Sequence, residues 1–117
     1  MKYRSILAVS MLVGIPVYAA DTLCAVAPQQ CKILAEDEDV RVFEFTSKKG
    51  DKIPQHTHPR YIAYDLAGGG KTRWTLADGS TRESVPAKKG EVAILKPETH
   101  SHETLADEHS IITEIKR

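Results

Sequence analysis

Gly50-Asp51-Lys52-Ile53-Pro54-Gln55-His56-Thr57-His58 decides how this chain is read, because it ends on two histidines one residue apart. Residues i and i+2 of an extended strand share a face, so His56 and His58 aim two imidazoles into one space. A second pair, His100-Ser101-His102, repeats the pattern further along, and only His109 of the five histidines lies outside the pairs. Imidazole nitrogen is a ligand for zinc, copper, iron and nickel. Two such pairs brought together by a β fold offer three or four nitrogens to one ion. A lone pair would be equally at home on a half-exposed strand; the repetition is what points to a metal.

Outward from this stretch, the chain reads as short strands between turns. Val40 to Phe45 precedes a Lys48-Lys49-Gly50 turn, and Asp51 to His58 leads into the first pair. Arg60 to Ala67 carries Tyr61, Ile62, Tyr64 and Leu66 and is broken by Gly68-Gly69-Gly70. That triple glycine lacks the Lys-Ser/Thr and the following helix of a phosphate loop, and reads as a turn. Lys71 to Leu76 holds the only tryptophan, Trp74, and Asp78-Gly79 is a hairpin signal before Thr81 to Val85. Lys88-Lys89-Gly90 turns again into Glu91 to Leu95, read as a buried strand; His100 to Leu105 and His109 to Ile115 complete the series. Eight strands at a spacing of about 8 to 12 residues, with no sustained helical period, predict an antiparallel all-β sandwich or barrel. Acidic Glu36 to Asp39 reads as a solvated turn, and 20–39 as a lead-in without clear period.

The N-terminus reads as a secretory signal over residues 1–19. Lys2 and Arg4 precede an apolar run from Ile6 to Val17, and Val17-Tyr18-Ala19 offers a cleavage site after Ala19. The run is short of the roughly 20 residues that span a bilayer. Asp21-Thr22-Leu23 before Cys24 lacks the small residue that lipidation requires. Cleavage leaves 98 residues, one small domain, with 14 basic against 16 acidic side chains. Without a basic tract, nucleic acid is not an expected partner, and no later segment suits a membrane. A periplasmic or secreted location follows. In that oxidising setting, Cys24 and Cys31, with six residues between them, are expected to form a disulfide.

With the glycines and histidines placed, the chain resembles a small single-domain bacterial cupin of the RmlC-like jelly-roll type, from about Val40 to Ile115. Gly50, five residues, and His56-Thr57-His58 match the first cupin motif in register, and Gly69 falls where its closing glycine belongs. Gly90 to His100 is similar to the second motif, one residue shorter and without the turn glycine. Gly69 to Gly79 is similar to the hairpin between the motifs. The resemblance implies a cupin β-barrel over 40–117 that holds a divalent transition metal (Zn, Cu, Fe, Mn or Ni) through His56, His58 and His100.

The departure is the motif glutamate, whose place is taken by Ile62 or Ala63. The fourth position is then water, a substituted ligand or empty; His102, on the strand face of His100, and more weakly Tyr64, are the candidates for a substitute. Gln55, Tyr61, Glu98 and Glu103 are the nearby groups that could orient the rings. A neutral three-histidine set disfavours magnesium and calcium, which want oxygen ligands. The missing carboxylate counts against the manganese chemistry of oxalate-degrading relatives. The implied functions are a dioxygenase or lyase acting on a small organic molecule, a non-catalytic small-ligand binder, or a metal-sequestering protein if His102 closes the site. The resemblance also implies pairing through the sheets into a homodimer.

Overall fold

A computed structural model describes residues 21–117 of the chain. The expected signal peptide, 1–19, lies outside the described residues. After Thr22, whose hydroxyl accepts from the amide of Ala25, comes a one-turn helix, α1 (Leu23–Val26), then a 3-10 turn at Pro28–Gln30. Nine strands follow among the described residues: β1 (Cys31–Glu36), β2 (Val40–Ser47), β3 (Lys52–His58), β4 (Tyr61–Asp65), β5 (Lys71–Leu76), β6 (Thr81–Glu83), β7 (Val92–Leu95), β8 (Glu98–Ala106) and β9 (Glu108–Ile115).

The strands form two antiparallel sheets, β1-β2-β9-β4-β7 and β3-β8-β5-β6. From β2 to β5, and again from β6 to β9, each successive strand crosses to the opposite sheet, so the two hydrogen-bonded layers close on one interior. None of the helices among these residues is long and apolar enough to cross a membrane.

Alternation decides which side chains enter that interior. Phe43, Phe45 and Ser47 of β2, and Ser110, Ile112 and Glu114 of β9, are buried at every second position. Phe43, Phe45, Ile53, Tyr61 and Ile112 make the apolar core together with Leu23 and Ala27 from the segment before β1. The rest of the buried set is polar: Ser47, His56, His58, Thr72, His100, Thr104, Ser110 and Glu114. So polar a centre is unusual, since histidine and glutamate enter an interior only with partners.

The structure adds a strand where the sequence shows no period. Cys31–Glu36 pairs with β2, from Cys31 opposite Phe45 to Glu36 opposite Arg41, with an irregularity between Ile33 and Ala35. As an edge strand it leaves Ile33 and Leu34 about half exposed, which is why no clean alternation marks it. Cys24 and Cys31 are disulfide-bonded, tying α1 to the start of β1.

The strand expected to be buried, Glu91 to Leu95, is instead an edge. Among the described residues β7 pairs only with β4, and Val92 and Ile94 face outward at 59% and 65% exposure. An unbroken apolar run predicts burial on both faces, but a sheet edge here exposes one of them. The Asp78-Gly79 turn does join a hairpin, β5 to β6; Gly79 sits at φ 89°, where a side chain is disfavoured, and Asp78 accepts from the amide of Ser80.

Candidate metal centre

β3 and β8 are neighbours in one sheet, and their register sets His56 directly opposite His100. His58 reaches the same interior from two residues further along β3. Each of the three residues is at most 3% exposed. Their centroids lie 4.8, 4.9 and 5.2 Å apart, and one ring nitrogen from each falls within 4.8 Å of those of the other two.

A β-bulge prepares this meeting. Pairing between β3 and β8 slips between Ile53 and His56, so Ile53 and His56 both point inward although three positions separate them. Pro54 sits in the slip, where its lack of an amide hydrogen costs no ladder bond. Its carbonyl accepts from Nδ1 of His56 at 2.8 Å.

The other two rings are held by carboxylates. Nδ1 of His58 lies 3.2 Å from Oε2 of Glu114, and Nδ1 of His100 lies 2.8 Å from Oε1 of Glu98. Tyr61 stacks on His58 at 4.2 Å between centroids. Glu98 is gripped by Arg82, whose Nη1 and Nη2 donate at 3.1 and 2.7 Å, and Arg41 stands 3.9 Å from Glu114. The Arg82 guanidinium, helped by His100, holds the Glu98 carboxyl below the usual carboxylate range.

All three Nδ1 partners are acceptors, so each Nδ1 carries its hydrogen. In the neutral ring Nε2 then keeps a lone pair. Burial favours that neutral form, lowering His56 to about 3 and His100 to about 4; the flanking histidines push both the same way, against the Pro54 carbonyl and Glu98. Nε2 of His56 is the sole buried side-chain polar atom without a partner among the described residues. Such an orphan costs about 1 to 3 kcal/mol unless something binds it. Soft-to-borderline nitrogen donors, fixed by second hydrogen bonds, are what a transition-metal ion requires. The residues present therefore fit a divalent transition metal.

The structure separates the fourth histidine from this group. His102 shares the inward side of β8 but lies opposite Ile53, beyond the bulge, and its Nε2 contacts Thr104 at 3.1 Å and Glu108 at 3.3 Å. Tyr64 is 43% exposed on the outer side of β4, while Tyr61 and Ala63 face inward. Gln55 is exposed, and Glu103 pairs with Arg73. Of the four nearby groups named from sequence, Glu98 and Tyr61 touch the rings. Sequence reasoning missed Glu114, which is 56 residues from His58; its one signal was a carboxylate at an inward position of the last strand.

Beside the cluster lies a cavity of about 260 Å³ between the sheets, with His58 and His100 on its wall together with Trp74, Tyr61, His102 and Glu108.

Solved structures of the same architecture are known. A cupin domain from Bordetella pertussis matches with a TM-score of 0.63 at 18% identity, over 74% of this chain and 92% of that one. A cupin superfamily protein from Desulfitobacterium hafniense matches at 0.55 and 13% identity, over 74% and 76%. An RmlC-like cupin protein from Desulfovibrio desulfuricans matches at 0.52 and 20% identity, over 99% and 97%. No protein-family model and no curated protein matches the chain. The fold is thus the cupin jelly roll, a small example of it, and its interior carries a three-histidine cluster suited to a metal.

Proposed function

We propose that the protein is an exported metal-binding cupin, which holds one divalent transition metal on His56, His58 and His100 and presents it to a small organic molecule in the adjoining cavity. The observation that carries this reading is the trio of oriented rings: Pro54, Glu114 and Glu98 each hold an Nδ1, and the buried Nε2 of His56 has no partner. A bound ion would act as a Lewis acid or as the centre at which dioxygen or a substrate oxygen is engaged. The chain's own part is to keep the three imidazoles neutral and fixed and to provide a mostly apolar chamber beside them. With His102 turned to Glu108, three protein ligands leave positions open for a further molecule, which favours a working site over a closed, sequestering one.

Metal analysis of the purified protein tests this. About one transition-metal ion per chain is expected, unchanged in His102→Ala and lost in His58→Ala. No metal in the wild type after reconstitution with zinc, copper, iron, manganese and nickel would defeat the reading. The outer apolar row of Tyr64, Val92 and Ile94 supports a homodimer through this sheet, which light scattering checks.

A further inference from the structure

The cavity has a second polar wall that metal binding leaves unused. His102 and Glu108 face it, with side chains 9% and 13% exposed. Glu108 accepts from the Thr72 hydroxyl and lies 3.3 Å from Nε2 of His102. The hydrogen bond of that ring joins Nε2 to the Thr104 hydroxyl, and its other nitrogen is Nδ1. That Nδ1 has no partner among the described residues, although the imidazole is nine-tenths buried. Asp65 lies on the same cavity, its carboxyl pushed up by burial and by the charges of Glu91 and Glu108. None of the described residues lining the cavity is a lysine or an arginine, while Asp65, Glu91 and Glu108 are acidic. The wall is rich in acceptors and negative charge, and a ligand must bring the donors and the positive charge. The lining also includes apolar Trp74, Leu95 and Ile112.

We propose that this cavity takes a small organic amine, its apolar body against Trp74 and Leu95 and its ammonium group on the Glu108 carboxylate, with Asp65 on the same cavity. The volume, about 260 Å³, equals roughly nine water-sized groups at about 30 Å³ each, enough for a single ring with a short arm. An anion of the same size meets the Glu108 and Asp65 carboxylates without a lysine or arginine to offset them among the described lining residues, and is disfavoured. The proposal rests on the reading that the cavity serves a small organic molecule, and it names the class.

Benzylamine, benzyl alcohol and benzoate differ in charge on one frame and suit the test. Each is titrated calorimetrically into the protein near pH 7, once loaded with zinc and once stripped with chelator. Benzylamine should bind the stripped protein at least tenfold more tightly than the other two. Glu108→Gln should remove most of that preference, and Asp65→Asn part of it, with circular dichroism reporting the fold. Benzoate binding as tightly as benzylamine, no binding of any probe, or full amine affinity in folded Glu108→Gln would each overturn the proposal. If a variant does not fold, the wild-type comparison decides alone. Amine preference without metal uptake would defeat the three-histidine reading and keep this one; metal uptake without amine preference would do the reverse.

Discussion

His58 and Glu114, 56 residues apart in the chain, meet inside the barrel with Nδ1 3.2 Å from Oε2, and the glutamate is only 2% exposed. β9 supplies the carboxylate and β3 the imidazole, from opposite sheets. The contact fixes the ring's tautomer and aims its Nε2. Glu114→Gln keeps the shape and removes the charge, and should lower zinc affinity by about 10- to 100-fold. Competition with a chromophoric chelator measures this; an affinity within twofold of wild type would deny the contact its orienting role.

Acid should destabilise the metal-free protein earlier than its carboxylates alone would dictate. Unfolded histidine takes a proton below about pH 6.5. Buried His56 resists until about 3, and His100 until about 4. In between, the unfolded chain binds more protons, so stability falls as pH drops, by up to about 1.4 kcal/mol per pH unit for each ring. Glu36, Asp51 and Glu98, whose carboxyls are lowered, add their losses only below their ordinary range; Asp65, whose carboxyl is raised, opposes them. Urea midpoints of the stripped protein should already decline between pH 6.5 and 5, and a flat profile there would contradict the burial argument.

Reduction of the Cys24–Cys31 bond should cost on the order of 2 kcal/mol, the entropy of a short loop released in the unfolded chain. The segment it pins contributes Leu23 and Ala27 to the core, and the carbonyl of Asp21 accepts from the amide of Thr57, between the two β3 histidines, at 2.7 Å. Urea unfolding with and without reductant reads the difference.

Gly70→Ala should disturb the acidic wall of the cavity. A Cβ there would come within 3.2 Å of Cγ of Glu108 and 3.3 Å of the Asp107 carbonyl oxygen. Glu108 must give way, since the carbonyl belongs to the backbone. A loss of about 1 kcal/mol or more in stability is expected from such overpacking, and an unchanged urea midpoint would show that the wall is loose.

Much of the fold was legible because alternation and turn chemistry are local. Asp78-Gly79 announced its hairpin, and the two Lys-Lys-Gly segments announced turns before β3 and β7. β1 was not legible, because an edge strand with one irregular step and half-exposed Ile33 and Leu34 leaves no period to read. The burial assigned to β7 failed for a related reason: composition reports what a strand could bury, and only its place in the sheet reports what covers it.

The spacing of two histidine pairs by itself determined that imidazoles would share strand faces, and the glycines and turns determined that the strands would be short and antiparallel. Tertiary structure alone decided which histidines meet. His100 and His102 are equivalent by spacing, yet the β3–β8 register sets one against His56 and the other against Ile53 across a bulge. It also decided that Glu114, on the last strand, holds His58. Strand parity is a property of neighbouring residues, whereas register, bulge and sheet order depend on pairing between distant segments.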